Sequence, residues 1–344
     1  MIGSENHFWG QGMKIVTTKS AIQPALSLAA KVADAVSVGE TIEAMSPEVA
    51  VRMRYDGEKD GQFLTPSKKL LDVVSTCGED IVFEGEDSIT IQSGSSKAQL
   101  DWLSQDPPLI QKPSGLPYVV PSDVLSDAIK KTTFCCARES AQYVLAGIHI
   151  NAGGGMLRLE STDTMRLSSY AVEVDTDETM DLVVCQHAIP LMSALTGSVS
   201  LGEIDGRLCC MTESMTMIAA TIQGKFPDAA TVIDHTASQR QTTVDRTELI
   251  NALQFVSNIV PTETRCVALE SDGATLVLST DSGRTETKCG GSTGETRLNV
   301  DYLMQAVKHC PSEVGIALED GKQAAMIDDG IWLHCISPIF SPNT

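Results

Sequence analysis

The stretch of sequence that decides the fold is VDRTELINALQFVSNIV, at residues 244–260. Leu249, Leu253 and Val256 recur at spacings of three and four residues, which places all three on one face of a helix. Asp245 stands just before this apolar series, where a carboxylate accepts hydrogen bonds from free backbone N–H groups. The segment therefore predicts an amphipathic helix with one buried face.

The same pattern occurs six times along the chain. Each copy begins with one or two extended residues and a polar helix-start residue, and continues with apolar residues at helical spacing. The other five copies are TTKSAIQPALSLAAKV (17–32), TPSKKLLDVVSTC (65–77), VPSDVLSDAIKKTTF (120–134), CQHAIPLMSALTG (185–197) and NVDYLMQAVKHC (299–310). Repetition of this kind predicts a fold that uses one structural unit several times.

Short strands are predicted between the helices. EDIVFEGEDSITIQSG (79–94) and CVALESDGATLVLSTDS (266–282) are examples, with Gly, Asp and Asn at the hairpin turns. Helices embedded in antiparallel strands indicate the α+β class. The six helices pair into three units, separated by polar or Pro-rich linkers. The predicted organisation is an N-terminal extension at 1–12, domains at 13–113, 114–233 and 234–340, and a C-terminal tail at 341–344.

The charge balance limits the kind of nucleic-acid contact that is possible. The chain has 45 acidic and 25 basic side chains, so its formal net charge is −20. Tight docking on phosphates normally requires a basic surface. A protein that encloses DNA needs only a local basic lining, and the Lys and Arg side chains of the six helices lie largely off the apolar stripe. If the helices line an inner surface, these cations face whatever passes through.

The cysteines and the hydropathy indicate an intracellular protein. None of the ten cysteines forms a CxxC pair, so we expect reduced thiols that behave as small apolar residues in a reducing cytoplasm. No run approaches the ~20 apolar residues of a membrane span. The start, MIGSENHFWGQG, lacks the apolar core of a signal peptide.

Catalytic motifs are weak throughout the chain. Cys185 and His187 place a thiol near an imidazole, but no third orienting group is evident. Gly153–Gly155 lies between strands and is a hairpin turn, whereas a phosphate cradle precedes a helix. The histidines show no metal-ligand spacing and there is no P-loop. The sequence therefore predicts no catalytic residues, no metal and no cofactor, and a Cys-dependent enzyme is retained only as a rival interpretation.

Several segments carry a resemblance to a known family. They include MKIVTTKSAIQPAL (13–26), the Thr-Asp-x-x-Arg-Leu run at 162–167, IQGKFPDAATVI (222–233) and LNVDYLMQAVKHC (298–310). Their order and spacing over roughly 13–340 resemble the bacterial DNA polymerase III beta subunit, the DNA sliding clamp. The chain departs from the family pattern at Thr164-Met165, where the family has Gly-His. It also lacks about sixteen residues of a strand hairpin between Val36 and Glu43, which shortens the first domain.

The resemblance implies both an architecture and a function. The architecture is three repeated DNA-clamp domains, with helices inside and antiparallel sheets outside, closed into a homodimeric ring. The implied function is that of a non-enzymatic processivity factor of DNA replication, which encircles duplex DNA without sequence specificity and tethers the replicative polymerase. Implied partners are the polymerase, the clamp loader and other proteins with clamp-binding motifs, in the nucleoid region of the cytoplasm. The alternative is a monomeric clamp-fold adaptor that does not encircle DNA.

The resemblance also implies three sets of site residues. The partner-peptide cleft matches Leu145, Thr162, Arg166, Leu167, Pro227, Val232, Ala324, Cys335, Ile336, Ser337, Pro338 and Ile339. The DNA-facing pool is Lys19, Lys31, Lys68, Lys69, Lys130, Lys131, Arg138, Tyr143, Arg246, Arg265 and Lys308. The dimer interface matches Ala98, Leu100, Ile259 and Val260. Cleft partners are expected to bury one or two apolar anchors, and DNA contacts are expected to be made to phosphates.

Overall fold

The repeated sequence pattern corresponds to helices in the structure. The computed structural model describes the chain over the ranges 12–138, 143–236, 241–318 and 323–340. The predicted extension and tail therefore lie outside the described residues, except for Gly12. The α-helices of the described ranges are α1 Lys19–Val32, α2 Ser67–Thr76, α3 Ser122–Thr133, α4 Ile189–Met192, α5 Ala229–Thr236, α6 Arg246–Ser257 and α7 Val300–Val307.

The strands of the described residues are all paired antiparallel. The first ten are β1 Met13–Thr18, β2 Ala35–Val38, β3 Ile42–Met45, β4 Val49–Met53, β5 Gly57–Asp60, β6 Phe63–Pro66, β7 Asp80–Gly85, β8 Ser88–Ser93, β9 Ser96–Asp101 and β10 Tyr118–Pro121. The next seven are β11 Ile148–Gly153, β12 Met156–Thr162, β13 Arg166–Glu173, β14 Met180–Val184, β15 Ser198–Ile204, β16 Arg207–Met211 and β17 Met215–Ala220. The last eight are β18 Thr242–Asp245, β19 Cys266–Asp272, β20 Thr275–Thr280, β21 Gly283–Gly291, β22 Thr293–Asn299, β23 Glu313–Ala317, β24 Ala325–Asp328 and β25 Trp332–Ile336.

Five of the six predicted helices are confirmed in α1, α2, α3, α6 and α7. In α6 the residues Leu249, Leu253 and Val256 are fully buried, as their spacing predicts. Asp245 caps this helix, because its side chain accepts a hydrogen bond of 3.0 Å from the backbone N–H of Glu248. Asn299 caps α7 in the same way. The α+β class is confirmed.

Two helical segments differ from the prediction. The copy at 185–197 is a 3-10 turn, Gln186–Ala188, followed by the single turn of α4. After α4, backbone bonds from Ala194 to Leu191 and from Leu195 to Met192 span three residues, so the chain winds too tightly to continue an α-helix. Helix α5 begins within the segment at 222–233, for which the repeated pattern predicts no helix. It crosses the boundary placed between 233 and 234.

The chain divides into two compact units. The first consists of Met1–Asp123 and Cys185–Thr221, and it holds two sheets. The five-stranded sheet has the order β5-β1-β7-β8-β9. The eight-stranded sheet has the order β10-β15-β16-β17-β4-β3-β2-β6, so strands of predicted domains 1 and 2 meet where β17 pairs with β4. Helices α1 and α2 pack together in this unit.

The second unit consists of Val124–Val184 and Ile222–Thr344. Its twelve-stranded sheet has the order β14-β11-β12-β13-β25-β24-β23-β18-β21-β20-β19-β22. Strands β13 and β25 pair from Arg166↔Ile336 to Tyr170↔Trp332, which joins strands of predicted domains 2 and 3. Helices α6 and α7 pack together in this unit, and α5 packs on β25.

All ten cysteines lie in the described ranges and are free, with six buried and four half-buried. The four half-buried ones are Cys77, Cys185, Cys266 and Cys289. Across the described ranges, no helix combines the length and apolar character needed to cross a lipid bilayer.

Candidate functional site

An apolar cluster lies beneath helix α5 in the second unit. Its buried members are Leu167, Ala229, Ala317, Met326 and Cys335. Ile233 and Ala324 are partly buried against it. Beside these residues Val232 and Met165 are 41% and 46% exposed, and Pro227 is exposed as well. An apolar floor with exposed apolar side chains beside it is the form expected of a groove that accepts hydrophobic anchors.

The loop that joins β12 to β13 forms one side of this region. Thr162 donates a hydrogen bond of 2.6 Å to the Arg166 carbonyl and accepts one of 3.1 Å from the Thr164 amide. Asp163 accepts from the amides of Met165 and Arg166. Thr164 has a φ of +76°, a left-handed conformation that strains a β-branched residue and suits the glycine of the family pattern. Local hydrogen bonds therefore hold a turn that threonine itself disfavours.

Arg166 is buried within the fold, and its place in the cleft stays a prediction. Its side chain is only 8% exposed. It donates to Asp163 at 3.0 Å, to Gln305 at 2.8 Å and to the Phe134 carbonyl at 2.7 Å. Its guanidinium also lies 4.2 Å from the ring centroid of Tyr302. Arg166 thus ties β13 to α7 and to the end of α3, and its hydrogen-bonding capacity is used inside the fold.

Three other predicted cleft residues are not members of the apolar cluster beneath α5. Leu145 belongs to a separate buried cluster with Val144, Val183 and Phe226. Ile336 is 1% exposed, because it pairs with Arg166 on one side and Ala325 on the other. Ile339 lines a different pocket, together with Phe340, Pro261 and Arg297.

The sequence interpretation missed five members of the cluster: Ala229, Ile233, Ala317, Met326 and Leu333. A signal was available for α5, since Ala229, Val232 and Ile233 are spaced as a helical face. Asp228, which precedes the helix, accepts a hydrogen bond of 3.1 Å from the Ala230 amide. Ala317 and Met326 carry no comparable signal, because strand pairing alone brings them to the cluster.

A buried histidine lies next to the groove region. His149 contacts Glu160 through Nδ1 at 3.0 Å and Asp181 through Nε2 at 3.0 Å. Its ring stacks on Phe226, with 4.5 Å between centroids. Burial lowers the pKa of His149, but the hydrogen bonds and charges of the two carboxylates outweigh it, so the pKa ends above its ordinary value. The His149 ring, held by two carboxylates, thus packs on Phe226, the residue that precedes Pro227.

Part of the predicted DNA-facing set is available to solvent. Lys68 and Lys69 are exposed on α2, whose buried side is formed by Ser67, Leu70 and Val74. The remaining exposed members are Lys31, Lys130, Arg138, Tyr143 and Lys308. Tyr143 is 77% exposed, so its ring is open to a partner. These side chains have the exposure that phosphate contacts require.

The other predicted DNA-facing cations are half-buried and make ion pairs or hydrogen bonds within the fold, and their DNA contacts stay a prediction. Lys131 is 14% exposed, pairs with Asp127 and Asp329, and lies over the Trp332 ring at 5.4 Å. Arg265 makes a two-point ion pair with Asp301, at 2.7 and 2.5 Å. Lys19 binds the carbonyls of Ser75 and Cys77, and Arg246 binds that of Cys310. These contacts hold the four cations against carbonyls and carboxylates of the same chain.

The predicted subunit-interface residues divide in the same way. Strand β9 is an edge strand of its sheet, and Ala98 and Leu100 on it are half-buried. Ile259 is also half-buried, whereas Val260 is 6% exposed and belongs to the core. An edge strand has unpaired backbone groups on one side, which suits β-pairing with another chain.

Comparison with known proteins connects this geometry to a family. Residues 119–228 match the family model for the central domain of the DNA polymerase III beta subunit. The beta sliding clamp of Pseudomonas aeruginosa is 22% identical over 293 residues, which is 80% of each chain. That of Treponema pallidum is 27% identical over 279 residues, covering 75% of this chain and 72% of the relative. Residues 119–228 thus resemble the central domain of the DNA polymerase III beta subunit, and the chain over most of its length is similar to beta sliding clamps.

Solved structures of the DNA polymerase III beta-subunit family share the fold. The Pseudomonas aeruginosa beta subunit superposes with a TM-score of 0.84 at 20% identity, over 96% of this chain and 100% of that one. The Thermotoga maritima beta subunit gives a TM-score of 0.84 at 19% identity, with the same coverage. The fold is thus shared at 20% and 19% sequence identity.

Proposed function

We propose that the chain is a DNA sliding clamp, a processivity factor that encircles duplex DNA and tethers a polymerase to it. The observation that supports this most is the likeness to beta sliding clamps over about four fifths of both chains. We further propose that two copies close a ring through edge strands such as β9. The chain then acts without catalysis, in the cytoplasm, wherever a loader places it on DNA.

The proposed mechanism is topological. A closed ring keeps the polymerase near its template, so each rebinding event is intramolecular and takes place at a high effective concentration. The exposed cations of Lys68, Lys69, Lys130 and Lys308 supply weak contacts to phosphates, which carry no sequence information. The net charge of −20 discourages other faces of the protein from adsorbing to DNA.

We propose that the apolar cluster beneath α5 receives a short peptide of the partner. Val232 and Met165 supply exposed apolar surface, and Leu167 and Cys335 form the floor. Pro227, Ala324, Ser337 and Pro338 are exposed or half-buried and complete the proposed rim. The partner's anchors are apolar, because a desolvated carboxylate or ammonium has no buried counter-charge to pair with among these groove residues.

Val232→Glu is expected to weaken binding of a polymerase-derived clamp-binding peptide by at least ~10-fold, since about 1.4 kcal/mol corresponds to a factor of ten. The physical reason is that an ionised carboxylate in the groove loses hydration when the apolar anchor docks. Fluorescence anisotropy of a labelled peptide measures the change. Ile331→Glu is the matched control, because Ile331 is also exposed but lies outside the groove set. Equal affinity in both variants would remove the cleft assignment.

The experiment that tests the function uses nicked circular DNA. After a loader has acted, the chain is expected to stay on the circle through gel filtration and to leave once a restriction enzyme linearises the DNA. Covering both DNA ends with bound blocking proteins should restore retention, because the ring then has no exit. Loss at the same rate from circular and linear DNA would contradict enclosure and favour the monomeric adaptor.

A further inference from the structure

Three metal-ligating side chains converge in the first unit, away from every site described above. They are Glu48, Cys185 and His187, whose ligand atoms all lie within 4.8 Å of one another. His187 Nδ1 is 2.5 Å from Glu48 Oε2. The sequence shows only the neighbouring thiol and imidazole. The fold adds the carboxylate from a point in the chain more than 130 residues away.

We propose that Glu48, Cys185 and His187 form a binding site for a zinc-class divalent transition metal. This departs from the prediction of no metal, and it stands independently of the proposed clamp function. Thiolate, imidazole and carboxylate are the three ligand types that zinc takes from proteins. A thiolate with an imidazole disfavours magnesium and calcium, which prefer oxygen ligands throughout.

Hydrogen bonds of the neighbouring residues hold the backbone of Glu48 in a defined place. Glu48 lies in the turn between β3 and β4, where Ser46 bonds to Val49 through both its backbone and its side chain. The Glu48 carbonyl also accepts a hydrogen bond of 2.7 Å from the Ala220 amide at the end of β17. The turn is therefore anchored on the eight-stranded sheet at two points.

The other two ligands come from the short 3-10 turn. Cys185 precedes the turn and His187 lies inside it, and the bond from the Ala188 amide to the Cys185 carbonyl closes it at 3.1 Å. Pro190 then limits the backbone of the first turn of α4. The failure of this segment to form a full helix thus presents the thiol and the imidazole on the same side as Glu48.

The geometry leaves room for a metal and for its entry. Zinc binds sulfur, nitrogen and oxygen ligands at about 2.0–2.3 Å, so tetrahedral donors stand roughly 3.5 Å apart. The side chains of Glu48 and His187 are 53% and 74% exposed, and they can turn to that spacing without moving the core. A solvent-open cavity bounded by Pro47, Val49, His187 and Leu191 leads to the site.

The charges also favour a divalent cation. A thiolate and a carboxylate together carry two negative charges, which one divalent ion neutralises. With three protein ligands in the described part of the chain, a water molecule or a small anion completes the tetrahedron. Lys31 lines the same cavity, and its ammonium favours an anion in that fourth position. The ion would join the β3–β4 turn to the 3-10 turn, two segments of different predicted domains.

The test is a titration of the chelator-treated full-length chain with zinc sulfate. Isothermal titration calorimetry measures the affinity and the number of zinc ions bound per chain. One zinc ion per chain is expected, and cobalt substitution should show the thiolate-to-cobalt charge-transfer absorption. Cys185→Ser and His187→Ala should each weaken zinc binding by roughly 100-fold or more, beyond the usual loss for an outer-shell residue. Glu48→Gln should weaken it as well while keeping the shape of the side chain.

The control is Cys266→Ser, which removes another half-buried thiol outside the site and should leave zinc binding unchanged. Circular dichroism checks that each variant folds, and the Glu48 variant keeps the test valid if Cys185→Ser does not fold. A native chain that binds no zinc would overturn the proposal. So would a Cys185→Ser chain that binds zinc as tightly as the native one.

Discussion

Replacing Arg166 by alanine is expected to lower the free energy of unfolding by about 3–5 kcal/mol. The buried guanidinium makes hydrogen bonds to Asp163, Gln305 and the Phe134 carbonyl, so its removal leaves these polar groups unpaired. Asp163 suffers most, because its carboxylate is only 16% exposed and loses its counter-ion. Urea-induced unfolding followed by circular dichroism measures the loss.

Two further variants separate this role from a general effect of losing an arginine. Arg246→Ala removes a cation that makes one hydrogen bond of 2.8 Å to a carbonyl, so the expected loss is about 1 kcal/mol. Arg166→Lys keeps the charge but lacks the planar fork, and should fall between the two. An Arg166→Ala protein as stable as Arg246→Ala would show that the buried network contributes little.

Acidification is expected to destabilise the native chain through His334. This ring is fully buried, its Nε2 has no hydrogen-bond partner among the described residues, and it stacks on Trp332 at 5.7 Å. Burial, with the nearby charge of Arg166 and then His309, lowers the pKa of His334 to about 3. The unfolded chain therefore binds this proton more tightly, with a pKa of about 6.5. The free energy of unfolding is therefore unaffected by His334 above pH ~6.5. As the pH falls from ~6.5 toward ~3, it decreases by roughly 5 kcal/mol.

His334→Phe keeps the stacked ring and removes the group that binds the proton. The free energy of unfolding of this variant should therefore decrease less between pH 6.5 and pH 3 than that of the native chain. Urea titrations at several pH values between 3 and 8 measure this. His149→Phe is the opposite control, since the pKa of His149 is raised. Its stabilisation is present below the ordinary pKa and is lost as the pH rises through the folded-state pKa. An equal decrease in His334→Phe and in the native chain would exclude His334 as the cause.

Local periodicity predicted most of the helices because it reports directly on which face is buried. In α6 and α7 the cap residues and the apolar spacing agree, so local and tertiary preferences coincide. Helix α5 was missed because Phe226-Pro227-Asp228 is a strong turn signal that hides the helix after it. The segment at 185–197 was overpredicted, because nothing in its spacing distinguishes an α-helix from successive tight turns.

The site residues were harder to predict than the fold. Exposure of a cation depends on which carboxylates and carbonyls the fold brings near it, and the sequence does not contain those partners locally. Lys131 contacts Asp329, which is 198 residues away, and Arg166 contacts Gln305, which is 139 residues away. The resemblance supplied positions, but it could not say which side chains this divergent chain has recruited into its interior.

The pairing of β17 with β4 and of β13 with β25 has a practical consequence for fragments of the chain. A fragment of residues 114–233 would lack β4 and β25. Strands β17 and β13 would then be exposed edge strands with unpaired backbone N–H and C=O groups. Such edges template intermolecular β-pairing and aggregation. The middle third of this polypeptide is therefore a poor candidate for dissection, and cuts that follow the compact units would have to join discontinuous segments.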